Sequence, residues 1–139
     1  MVAELRDITQ YQNIHAVAAN NVLAARNYYT VDDPYKREDT PDSRPTFGLD
    51  DGETDGLVLA NALAVDGFLT DEFGGTNFPL IHAVLQGPRI VPTPRLIVDD
   101  ARNGHLSHEA ARTLIMALSP HRSWGNSPYV TQLLQLLDE

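Results

Sequence analysis

Two short apolar runs, Gly67-Phe68-Leu69-Thr70-Asp71 and Arg89-Ile90-Val91-Pro92-Thr93, stand between longer stretches with helical spacing, and this alternation constrains the chain most. A brief apolar run flanked by turn-forming residues reads as a buried strand, whereas apolar residues three and four apart share one face of a helix. Strands separated by helices do not pair as hairpins. They pair in parallel, and the crossover helices cover both faces of the sheet. The expected fold class is therefore α/β: a short parallel sheet in a three-layer α/β/α sandwich. Residues 1–139 match the size of one domain, and no internal repeat or boundary divides them.

The helical stretches follow from the same spacing. Val2 to about Gln10 places Val2, Leu5 and Ile8 on one face, and a second helix runs from about Asn13 to Tyr28. Its stripe of Ile14, Val17, Ala18, Val22, Leu23 and Ala25 is expected to face the core. Residues 30–49 hold Pro34, Pro41 and Pro45 among charges without any period, so they form a flexible loop, of a length usually reserved for a functional flap. A third helix spans about Glu53 to Val65. Asp50, Asp51, Glu53 and Asp55 crowd its start, where the helix dipole favours negative charge. Beyond the first strand, Gly74-Gly75 predicts a turn and Asn77 to about Leu85 a helix. Pro94 suits the first turn of a helix closed by Gly104, Ser107 caps one ending at Pro120, and Ser127 to Leu137 forms the last.

Charge narrows the function. Nineteen acidic residues against ten basic ones give a net charge of −9, and Lys36 is the only lysine. Such a surface stays soluble when salt screens strongly, so a salt-loving source is expected. It excludes a broad basic grip on nucleic-acid backbones, though not local contact through a few arginines. The best local basic group is Lys36, Arg37 and Arg44 in the 30–49 loop, a weak candidate for substrate binding. With no cysteine, disulfides, thiolate metal sites and a cysteine nucleophile are excluded. The opening Met1 to Asp7 lacks the apolar core of a signal peptide, and the longest apolar stretch, around Gly56 to Val65, is too short to span a bilayer. A cytoplasmic protein with no membrane association is expected. His105 and His108 have no carboxylate at ligand spacing, so the five histidines carry surface or capping roles.

The chemistry lies in the carboxylates. In open α/β sheets, functional groups gather at the carboxyl ends of strands. Asp71 and Glu72 end the first strand, and the helix running back to that strand starts at the same sheet edge with Glu53 and Asp55. Carboxylates that close repel unless a cation or protons neutralise them, and hard oxygen ligands suit Mg²⁺ or Mn²⁺.

The stretch from Gly52 to Ala62, followed by Phe68-Leu69-Thr70-Asp71-Glu72-Phe73, resembles the central signature of PIN-domain proteins: an acidic residue opening an Ala-rich helix, then a strand ending in Thr and acids. Val2-Ala3-Glu4-Leu5 resembles the family helix that carries another acid, and the order of the remaining elements fits the C-terminal half. The resemblance implies a divalent-metal-dependent ribonuclease, often the toxin of a toxin–antitoxin pair. It implies Glu4, Asp55 and Asp71 as catalytic and metal-holding acids, Glu53 and Glu72 as supporting ones, and Thr70 as orienting the pocket. Family members begin with a strand ending in Asp, ahead of the helix matched here by Val2 to Gln10. The resemblance therefore implies either a start assigned too far downstream or a reduced relative, catalytically inactive and acting as an interaction module. Loss of central sheet area in the latter points to a homodimer.

Overall fold

A computed structural model describes residues 2–71, 73, 77–122 and 124–139. They comprise seven α-helices and one pair of parallel strands, on which α3 and α5 pack. Helices α1 (Val2–Ile8) and α2 (Ile14–Ala24) pack on each other as an N-terminal hairpin. Asn13 starts α2, its side-chain oxygen accepting from the Ala16 amide at 3.0 Å.

The buried face of α2 differs from the expected stripe. Ala16 and Ala19 are buried, whereas Ile14, Val17 and Val22 are exposed, Ile14 at 74%. Small residues three apart let α2 approach its neighbour closely, and this contact turns the larger side chains outward. The expected single helix to Tyr28 also stops at Ala24, where Ala25 ends it and a tight 3-10 turn, Arg26–Tyr28, follows.

Residues 30–49 form a loop as expected, with one 3-10 turn at Pro34–Lys36 whose Pro34 is buried. Helix α3 (Asp51–Ala62) begins two residues earlier than expected, because the Asp50 carboxylate accepts from the Glu53 amide at 2.8 Å. It buries Thr54, Leu57, Val58 and Ala60. Strand β1 (Gly67–Thr70) pairs in parallel with β2 (Arg89–Pro92), Gly67 opposite Arg89 and Thr70 opposite Pro92. Helix α4 (Asn77–Val84) connects them and is tied to α3 by Asn61, whose amide donates to the Val84 carbonyl at 2.9 Å. Gly56 faces the Phe68 ring so closely that a Cβ there would lie 3.2 Å from Cε2. The absent side chain lets the head of α3 settle on β1.

Three C-terminal helices complete the chain: α5 (Thr93–Arg102), α6 (His108–Leu118) and α7 (Pro128–Gln135). Their shared core contains Ile97, Val98, Ala111, Ile115, Val130, Leu133 and the single tryptophan, Trp124. Ser107 caps α6 as its position predicts, and Ser127, expected as the first residue of the last helix, caps α7. The glycine that closes α5, Gly104, has φ +80, the left-handed geometry expected at a helix exit. No helix among the described residues is long and apolar enough to cross a membrane.

Candidate functional site at the carboxyl edge of the strands

Parallel pairing fixes the site. Continuing the register one residue past Thr70 and Pro92 brings Asp71 beside Thr93, and the Thr93 hydroxyl donates to Asp71 Oδ1. The other carboxylate oxygen, Oδ2, lies 3.2 Å from Nη1 of Arg122. Two residues on, the Phe73 ring packs 5.9 Å from Trp124 and 5.5 Å from Tyr129, anchoring the strand exit on the C-terminal core. The core thus sets where Asp71 stands.

Asp55, in α3, is the second of the predicted acids. Both its oxygens are taken by a bidentate guanidinium, Arg44 Nε and Nη2 each donating at 2.8 Å. The Tyr35 hydroxyl adds a third donor to Oδ1. Arg44 also reaches Asp51, Nη1 to Oδ2 at 2.8 Å, and lies over the Tyr35 ring at 5.8 Å. The Arg44 hydrogen bonds, helped by that of Tyr35, hold the Asp55 carboxyl below the usual carboxylate range against the opposing effect of burial. Burial, and then the hydrogen bond to Asp55, push the Tyr35 phenol up. Asp55 stays ionised, and Tyr35 stays a donor.

The remaining predicted residues lie on separate elements. Thr70 ends β1, half-buried, and Glu53 lies half-buried in the first turn of α3. Glu4 is exposed in the first turn of α1. Glu72, like the Gly74-Gly75 turn, lies outside the described residues. Lys36, Arg37 and Arg44 do not form an open basic patch: Lys36 pairs with Asp33 at 3.2 Å, Arg37 with Asp32 and Asp39, and Arg44 with Asp51 and Asp55. The weak substrate candidate Arg44 and the ligand candidate Asp55 are therefore partners of each other.

Mg²⁺ and Mn²⁺ are commonly held by one or two carboxylates, with water and substrate oxygens filling the other positions. In donor chemistry Asp55 and Asp71 fit such an ion. Among the described residues, no three acidic or histidine side chains gather closely enough to hold one, so Glu4, Asp55 and Asp71 do not form a single cage. Asp55 and Asp71 each carry an arginine instead. Partly exposed pairs of this kind contribute about 1 kcal/mol or less.

Tyr35, Thr93 and Arg122 join the site without having been singled out in the sequence. Thr93 had a signal: once Gly67 is paired with Arg89, the residue after β2 must face the residue after β1. Tyr35 and Arg122 come from irregular segments, where no period assigns a partner. No family model, curated protein or solved structure matches the chain.

Proposed function

We propose that the chain is a PIN-like ribonuclease of three-layer build that cleaves single-stranded RNA with the help of Mg²⁺ or Mn²⁺. The observation that carries this reading is the pairing of Asp71 with Thr93, a carboxylate and a hydroxyl just past the carboxyl ends of two parallel strands, the edge at which open α/β sheets work. In this reading Asp55 and Glu4 are the other metal-holding acids, Glu53 and Glu72 support them, and the Thr70 hydroxyl orients the pocket. The ion, when bound, would activate water and offset the charge that develops at phosphorus.

The protein's own groups do the positioning. Thr93 fixes the rotamer of Asp71 by donating to one oxygen, leaving the other to a cation. Arg122, about half exposed, can turn from Asp71 to a phosphodiester oxygen without leaving its place. An antitoxin-like protein and a second copy of the chain are the partners this reading expects. Replacing Asp71→Asn keeps the shape and removes the charge, so Mn²⁺-dependent cleavage of a single-stranded RNA should fall to background. Cleavage that persists in the variant overturns the assignment.

One observation favours a second reading, a non-catalytic PIN-like interaction module. Asp55 already accepts three hydrogen bonds, two from Arg44 and one from Tyr35, as a structural carboxylate does. The two readings separate in a melting experiment. A ribonuclease centre gains several degrees with millimolar Mn²⁺, and an interaction module gains none.

A further inference from the structure

We infer that the cleft between the exit of β1 and the head of α7 binds one nucleotide of a single-stranded RNA, its base against Phe73 and its phosphate on Arg122. This rests on the ribonuclease reading of the strand edge and names the subsite that presents RNA to it.

The cleft follows from the way the chain enters α7. Trp124 is held in the C-terminal core, and its amide donates to the Arg122 carbonyl at 2.8 Å while its carbonyl accepts from the Ser127 amide at 3.0 Å. Those bonds fix the loop and leave Gly125 and Asn126 exposed at its rim. Phe73, packed against Trp124 and Tyr129, contributes an aromatic wall. The enclosed space is about 540 Å³, a size at which small-molecule sites occur.

The lining chemistry suits a nucleotide. Ser119 is buried, and its hydroxyl donates to the Ile115 carbonyl at 2.8 Å, so it keeps no proton for a ligand. Among the described residues that line the cleft, only Arg122 carries a formal charge. In a chain of net charge −9 the recess is therefore locally positive and selects an anion. Arg122 Nη1 meets Asp71 at 3.2 Å, which leaves further N–H groups of the fork for a phosphate beside that carboxylate. An aromatic wall takes the face of an unstacked base, and the exposed Asn126 amide can pair with its edge.

Gly125 supplies the test. A Cβ there meets no atom within 4 Å, and its backbone lies outside the left-handed region, so a side chain can fill the cleft without strain. Adenosine monophosphate, adenosine and inorganic phosphate are titrated calorimetrically into the wild type, Gly125→Leu, Arg122→Gln and Asn126→Ala, with each melting temperature as the control for folding. Gly125→Leu should melt like the wild type and bind the nucleotide about tenfold more weakly or worse. Arg122→Gln should weaken the nucleotide about tenfold and leave adenosine unchanged, because only a bond to a charged group is lost. Asn126→Ala should weaken nucleotide and adenosine alike, about threefold. Phosphate that binds the wild type as tightly as the nucleotide overturns the base contact. Equal nucleotide affinity for wild type and Gly125→Leu, or no binding by the wild type at millimolar nucleotide, overturns the cleft even where RNA is cleaved. Nucleotide binding that Gly125→Leu abolishes, in a protein that cleaves no RNA, supports the cleft and removes the ribonuclease reading.

Discussion

At the scale of single residues, the site turns on one carboxylate, and its protonation makes a definite prediction. Asp55 is held below its ordinary value of 3.8 by Arg44. A carboxyl depressed in the folded state adds stability that is complete above the unfolded value and lost as pH falls through the folded one. The bonds of Tyr35 and Arg44 to Asp55 should therefore persist at neutral pH and weaken only below about pH 4, which hydrogen exchange of residues 34–44 would report. Asp55→Asn should abolish that acid transition. An unchanged transition in the variant would assign it to Asp33 or Asp39, both also depressed, by the Tyr35 amide and by Arg37 respectively. Little of this residue-level detail was legible beforehand. Asp55 and Asp71 stand out in the sequence because helix start and strand end have positional rules. Arg44 does not, because a partner eleven residues away in an aperiodic loop obeys none.

At the scale of elements, the joint between α3 and β1 positions the acids, and two substitutions probe it in opposite directions. Gly56→Val would drive branched carbons into the Phe68 ring, already 3.2 Å from where a Cβ would stand. It should destabilise by about 1–3 kcal/mol, read as a lower denaturant midpoint. Ala64, in the turn between them, has φ +49, a left-handed geometry that costs an alanine about 1 kcal/mol. Ala64→Gly should recover part of that and raise the midpoint. The cap at Ser107, the two strands and the helix after Pro94 could be read from sequence, since a cap or a proline acts within a few residues of itself, whereas the cap at Asp50, which sets the start of α3, was not read. The orientation of α2 could not. Its apolar residues surround much of the helix, so spacing alone does not choose between the Ile14–Val17 side and the Ala16–Ala19 side; close packing of small residues does.

At the scale of the whole molecule, apolar burial is uneven. The C-terminal helices share a core with Ile115 and Val98 fully enclosed, whereas α1 buries no residue completely and α2 only two alanines. Ile115→Ala should cost about 2–5 kcal/mol. Val17→Ser, at a side chain 55% exposed, should change stability by less than about 0.5 kcal/mol. Emission from Trp124, buried in the C-terminal core, follows both melts. A large effect of Val17→Ser would mean that this face of the hairpin is covered in solution. The same unevenness explains which parts of the fold the sequence conveyed. Where helices are amphipathic around a shared core, pattern implies place; at the thinly packed hairpin it does not.

Lys36 sits in the 30–49 loop between Tyr35 and Arg37, with its side chain 81% exposed, and no other lysine exists in the chain. Amine-directed conjugation, run where the terminal amine is blocked, would therefore deliver a dye to one known point beside Asp55's partners. With the indole as energy donor, the distance from core to loop becomes an optical signal, read without altering any acid.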